Sequence, residues 1–287
     1  LINMNIEEIE ISKWRDLDKI RAINGSWIFR GQAIAGWPIS SSLERTHLNC
    51  DKSKIIALNQ ELFMLREFIR KAHKISDLKL DTSQIIEWLT IMQHYGCPTR
   101  LVDFTRSFYV ASYFAIHPKN SSNSDAAVWA FNEKWLFESS LSFFEELNET
   151  SKKFKIRDDW QDFILSRSND FLLKSHSSLK IDDRFQIKPT LTVVEPFLQI
   201  ERYARQKSVF IMPTNINVPF EKNLFDILDS DINTDEYPVK KYIIRNNFFL
   251  DLAKELKQMN VTAEVLFPGL DGIAKSISDS WEFYNPL

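Results

Sequence analysis

The sequence predicts an α+β fold, with a central mixed or antiparallel sheet, flanking helices and a helical insertion. Three observations carry this. Apolar residues recur at helical spacing over two long early stretches, 53–74 and 81–95. Short runs rich in β-branched and aromatic residues are interspersed along the chain rather than grouped at one end. Between residues 133 and 190 the periodicity weakens while Ser, Lys and Asp accumulate, which sets that stretch apart as an insertion or lid with helices of its own.

In chain order, Trp14, Leu17, Ile20 and Ile23 stand three apart and predict an amphipathic helix over 11–23, ended by Asn24-Gly25. Trp27 to Gly31 reads as a strand, and residues 36–42 as a loop. The helix over 53–74 follows from Ile56, Leu58, Leu62, Leu65, Phe68 and Ile69. The helix over 81–95 has Thr82 or Ser83 as its cap, with Gly96 as its stop and Pro98 just beyond. Residues 99–104 read as a strand, 107–116 as a buried helix, 117–125 as a polar loop and 126–132 as a buried strand. Beyond the insertion come strands at LTVVEP and SVFIMP around a helical turn at IERYARQ. A loop near 215–220, a strand at 240–244, a helix at 248–259 and the closing run VTAEVLFPGL complete the chain.

Composition narrows the function classes. With 44% apolar and 26% charged residues, the chain has an ordinary globular balance. A net charge of −3 gives no bulk attraction to nucleic acid or to an anionic membrane. Two cysteines, Cys50 and Cys97, make neither a disulfide framework nor a zinc quartet, and the five His lack metal spacing, so no His or Cys metal site is expected, and a carboxylate-held Mg²⁺ stays open. No run approaches the ~18 apolar residues of a membrane helix. The acidic start lacks the features of a signal peptide, so a cytoplasmic protein with no membrane partner is expected.

The chemistry concentrates in QHYGCPTRLVDFT, residues 93–105, where one His, one Arg, one Asp and two Thr surround a Gly and a Pro. His94 is the side chain best suited to proton transfer near neutral pH; a capping or core His is the structural alternative. If 99–105 is a regular strand, Thr99 and Asp103 share a face toward a pocket, and Arg100 points into the scaffold. Arg30 ends an apolar strand and offers a planar fork of donors to a phosphate or carboxylate; an Arg–Asp bridge is the alternative. Gly31 permits close approach of a ligand or of another backbone. Arg202 and Gln206 stand four apart on one helical face. Glu264 is a lone carboxylate at the start of an expected strand. No Gly-rich phosphate loop, HExxH, GxSxG or CxxC occurs.

WIFRGQ followed by QHYGCPTRLVDFT-SFYVASYFA closely resembles the FRG domain, whose name stands here as Phe29-Arg30-Gly31. SSLER, RYARQKSVF and LFPGLDGIAKSI also match its pattern, so the resemblance runs over about residues 25–278 as one domain, with cores at about 25–132 and 191–278. It implies a bacterial or phage-associated domain of toxin or defence type, with an antitoxin protein as a partner. The strand-borne Arg followed by Gly is similar to the first motif of mono-ADP-ribosyltransferases. That similarity implies an ADP-ribosyltransferase-like sheet and NAD as substrate, transferred to RNA, DNA or protein. It places Arg30, Gly31, Gln32, Tyr95, Thr99, Arg202 and Gln206 at NAD, and His94, Asp103 and Glu264 in catalysis. Two other readings remain open: an NAD-independent nuclease using His94, Arg30 and Asp103, and a non-catalytic binding module whose polar residues form an internal network.

Overall fold

The computed structural model describes residues 6–21, 23, 25–49, 57–72, 79–117, 124–148, 160–177, 188–198, 200–230 and 237–281. Cys50 and the ends of the helix expected over 53–74 lie outside them. The chain opens with β1 (Ile6–Ile11), a 3-10 turn at Trp14–Leu17 and the short helix α1 (Asp18–Arg21). The amphipathic helix expected over 11–23 shrinks to these two turns. The Asp16 carboxylate accepts the backbone N–H groups of Ser12 and Lys13, at 2.9 and 3.2 Å, and so turns the chain sharply after the strand. Next come β2 (Trp27–Gln32), α2 (Ser42–Asn49), α3 (Ala57–Ala72), α4 (Ile85–His94), β3 (Val102–Thr105) and α5 (Phe108–Ile116). They are followed by β4 (Ala126–Asn132), α6 (Glu133–Asn148), α7 (Trp160–Ser177), β5 (Leu191–Val194), α8 (Glu201–Gln206) and β6 (Ser208–Pro213). The chain closes with α9 (Phe220–Ser230), β7 (Val239–Ile244), a 3-10 turn at Asn246–Phe248, α10 (Phe249–Gln258), α11 (Ala263–Leu266) and α12 (Leu270–Trp281).

The fold is α+β, and its strands form one mixed seven-stranded sheet in the order β1-β7-β4-β2-β3-β6-β5. Only the β1–β7 pair is parallel; the other neighbours run antiparallel. The register of β1 on β7 sets Glu7 against Lys240 and Glu8 against Lys241, with ion pairs of 2.8 and 3.2 Å along this edge.

Alternation along each strand divides the core between two faces. On one face α9 and the start of α6 cover Ile28, Val102, Phe104, Phe131, Val193 and Ile211. The opposite face carries two groups of helices. Over β4, β7 and β2 lie α5 and α10, with Phe29, Val128, Tyr242 and Ala111 in contact. Over β6 and β5 lie α3, α4, α6 and α7, with Phe210, Met212, Trp88, Phe143 and Leu172 in contact. The helices of the stretch 133–190 are thus part of the sheet's covering layer. Ser107 caps α5 by accepting the N–H of Val110 at 3.3 Å, and Gly96 ends α4 with φ of 82°.

A buried ion network pins the second helix group. Arg100 donates through Nε to both carboxylate oxygens of Glu61, at 2.8 and 2.9 Å, and through Nη2 at shorter range. His176 Nε2 lies 3.3 Å from Glu61 Oε2, so α7 is tied to α3 through the same carboxylate. Burial alone would raise the Glu61 carboxyl, but Arg100 and His176 hold it down at about 2. Arg100 is therefore a scaffold residue in a buried ion pair, as expected, although it stands ahead of β3 and the alternation of a regular strand does not reach it.

Candidate functional site

The two groups of helices leave a gap beside α5, along the line between β2 and β3. These strands are paired at one position, Phe29 with Thr105, whereas β2 is paired with β4 over six positions and β3 with β6 over four. Beyond Phe29 the two strands part. The carbonyl of Asp103 is taken up by a side chain instead, accepting from Arg30 Nη1 at 2.7 Å. Arg30 thus binds a main-chain oxygen, and its buried Nε has no hydrogen-bond partner. Burial lowers the affinity of Arg30 for its proton, which Asp103 opposes and Arg45 reinforces.

Above this split lies a cleft of about 450 Å³. That volume falls within the ~300–1,000 Å³ usual for small-molecule sites. Its floor is Phe29, Arg30, Gly31, Asp103 and Thr105; its walls include His94, Phe114, His117, Tyr203, Phe267 and Lys275. Arg202 and Gln206 enter from α8. Arg30, Arg202 and Lys275 line the cleft with one carboxylate, Asp103, among the described residues, so its lining is richer in basic than in acidic groups although the chain carries −3. His94 packs edge-on between the rings of Tyr95 and Tyr203, with centroids at 4.9 and 5.8 Å. Burial and the nearby Arg202 push its pKa below 6.5, and its buried Nδ1 has no hydrogen-bond partner. It is therefore a neutral imidazole near pH 7, able to accept a proton.

Of the residues singled out in the sequence, the fold gathers Arg30, Gly31, His94, Asp103, Arg202 and Gln206 in this cleft. It leaves four out of the lining. Gln32 is buried, donating to the Pro38 carbonyl at 3.0 Å and accepting from the Trp129 indole at 2.7 Å. Thr99 is buried as well. The regular strand begins only at Val102, so alternation does not extend back to it. Its N–H donates to Ser42 Oγ at 3.0 Å and its hydroxyl to Gln93, which makes it a knot between α2 and α4. Tyr95 is 73% exposed and meets the site only through the edge of His94. Glu264 does not start a strand; it is exposed on the helical turn α11.

Gly31 has a packing role. A Cβ there would lie 2.0 Å from the Ala111 carbonyl oxygen and 2.6 Å from the Ala115 nitrogen, so the backbone of α5 needs the glycine. Gln206 is both wall and strut: its carbonyl accepts from the Thr105 hydroxyl at 2.6 Å, and its amide donates to Leu266 at 3.1 Å. His117, Phe267 and Lys275 escaped the reading of single motifs. Phe267 and Lys275 stand within LFPGLDGIAKSI, so the signal for them was the resemblance of that run rather than any spacing. No described helix is long and apolar enough to cross a membrane.

Residues 25–124 match the family model described as FRG domain. That span carries Arg30, His94, Asp103 and His117, while Arg202, Phe267 and Lys275 complete the cleft from outside it. No curated protein and no solved structure matches the chain.

Proposed function

We propose that this cleft, whose floor is built by the FRG-matching part of the chain, binds NAD and transfers its ADP-ribosyl group to a macromolecular acceptor, nucleic acid or protein. The observation that carries the reading is the meeting of Arg30 and Asp103 where β2 and β3 part, beneath aromatic walls. A dinucleotide calls for donors to its diphosphate, flat apolar surfaces for its rings, and a carboxylate near the ribose carbon that becomes electron-poor. The unpartnered, buried Nε of Arg30 suits the first need. Phe29, Phe114, Tyr203 and Phe267 suit the second. Asp103 is the carboxylate among the described lining residues and suits the third; Glu264, exposed and outside the lining, takes no part.

In this reaction the bond from ribose C1′ to the nicotinamide nitrogen breaks and its electron pair leaves with nicotinamide. The acceptor's nucleophilic atom forms the new bond to C1′. Asp103 stabilises the positive charge that builds on the sugar. His94, neutral for the reasons given above, takes the acceptor's proton. Acting on a cell's own macromolecules in this way, the chain serves as a toxin or defence effector, in line with its resemblance to domains of that context. The test is to incubate the purified protein with labelled NAD and cell extract, measuring free nicotinamide and label on protein and nucleic acid. Release and transfer that vanish in Asp103→Asn and Arg30→Met but persist in Glu264→Gln are the expected result. Absence of both products in the native protein would overturn it.

One observation favours a second reading. His94 and His117 line the same cleft, and two imidazoles can share the acid and base roles of phosphodiester cleavage. That reading expects RNA or DNA cleavage without NAD, abolished in His94→Ala.

A further inference from the structure

Arg202 and Lys275 come from α8 and α12, 73 residues apart, and both settle on the ring of Phe267. The Arg202 guanidinium carbon lies 4.8 Å from the ring centroid and Lys275 Nζ lies 4.5 Å from it. Lys275 also stands 5.9 Å from the ring of Tyr113, and that ring is stacked on His117 at 4.5 Å with 14° between planes. Phe114 meets Phe267 edge-on at 6.0 Å, which holds the ring in place.

Two features of this cluster point to a ligand. A cation over a ring face is attracted through its charge, and its N–H donors stay available. The Arg202 Nε is buried and has no hydrogen-bond partner. The charges themselves are also poorly offset. Burial lowers the affinity of Lys275 for its proton, which Asp279 opposes and Arg202 reinforces; the Asp279 Oδ2 also accepts the Tyr113 hydroxyl at 3.1 Å, and neither cation is in an ion pair among the described residues. Like charges gathered in a partly dry place raise the energy of the ligand-free protein, and a bound anion relieves it.

We infer that Arg202 and Lys275, set on Phe267, form a phosphate subsite at the α8–α12 side of the cleft, separate from Arg30 on its floor. The inference goes beyond the proposed reaction, since such a subsite takes a phosphate group whether or not NAD is consumed. Its occupant is either part of the diphosphate of a dinucleotide or a backbone phosphate of a nucleic-acid acceptor.

The experiment is titration calorimetry of the full chain with inorganic phosphate and with pyrophosphate. The proteins compared are the native one, Lys275→Met, Arg202→Met, Lys275→Arg and Glu264→Gln. Removing one charge-assisted donor set weakens binding by about 10- to 100-fold. Inorganic phosphate therefore binds the native protein, Lys275→Arg and Glu264→Gln, whose exposed side chain lies outside the cleft. It is lost by that factor in Lys275→Met and Arg202→Met, and the fold retained in Lys275→Arg shows that the helix tolerates change at this position. Repeating the titration with NAD and with a short single-stranded oligonucleotide assigns the source, because only the true occupant loses affinity in Lys275→Met. The inference is overturned if the native protein binds neither phosphate nor pyrophosphate, if the two Met variants bind as the native protein does, or if Glu264→Gln loses binding to the same extent as they do. Nicotinamide release failing in the native protein would leave these outcomes unchanged, so the two proposals fail separately.

Discussion

Replacing Gly31 with Ala tests how the floor of the cleft is built. The added Cβ would stand 2.0 Å from the Ala111 carbonyl oxygen, 2.6 Å from the Ala115 nitrogen and 3.1 Å from the Ala111 carbonyl carbon. An ordinary carbon–oxygen contact is about 3.3 Å, so α5 or β2 must move by roughly 1.3 Å. All three obstacles are helix backbone, which cannot swing aside as a side-chain tip can. Overpacking of this kind costs about 1–3 kcal/mol and at times more. A rigid backbone obstacle puts Gly31→Ala at the upper end, while the lower entropy of the unfolded Ala chain returns about 0.4–1 kcal/mol. The net loss of roughly 2–3 kcal/mol lowers Tm by roughly 4–12 °C at this chain length. Urea denaturation and a thermal melt read it directly. Gly36→Ala is the control, because nothing lies within 4 Å of a Cβ there. Its stability should change by no more than about 0.5 kcal/mol. If Gly31→Ala melts with the native protein, the packing account is wrong. A variant that melts normally yet loses ligand affinity would show that the glycine serves the ligand instead.

Other consequences follow from the same geometry. Glu61→Gln leaves Arg100 buried without its counter-charge and costs about 3–5 kcal/mol in urea denaturation, whereas replacing the pair by apolar residues of similar volume costs far less. Because the Glu61 carboxyl is held at about 2 against an ordinary 4.5, its contribution is complete above pH 4.5 and is lost as pH falls toward 2. It is worth on the order of 3 kcal/mol, and acid titration of stability in native protein and in the apolar pair variant should show the difference. Asp103→Asn should lower nicotinamide release by about 10²-fold or more, while Glu264→Gln stays at the native rate. His94 has its pKa lowered by burial and by Arg202, so release should fall on acidification with a midpoint below the ordinary imidazole value. In Arg202→Met the acidic limb should move to higher pH; a limb that stays put would remove His94 from proton transfer.

Where the sequence carried a strong local signal, its reading held. The spacing of Leu58, Leu62 and Leu65 marks the buried side of α3, and the apolar run 126–132 is the interior strand β4. Gly96 acts as the stop its type suggests, whereas neither Thr82 nor Ser83 caps α4, which starts at Ile85 after Gln84 with no side-chain cap bond. The signal weakened where two periods compete. IEEIEI reads as neither helix nor strand until Glu7 and Glu8 find Lys240 and Lys241 across the β1–β7 pair. Glu264 sits in a run of strand-forming type that coils into a helical turn, with the preceding Gln206 and Arg205 holding its carbonyls at 3.1 and 3.2 Å.

The amino-acid order by itself determined most of the longer helices and apolar strands and the polar segment 93–105. These depend on periodicity, caps and alternation, which act between residues two to four positions apart. Only the tertiary structure decided which polar residues share a cleft. It turned Gln32 and Thr99 inward to satisfy backbone and indole groups, left Tyr95 and Glu264 in solvent, and brought Arg202, Phe267 and Lys275 to Asp103. The physical reason is that the site lies in a split between two strands and a gap between two groups of helices. Strand order and helix packing set both, and neither is written in the spacing of neighbouring residues.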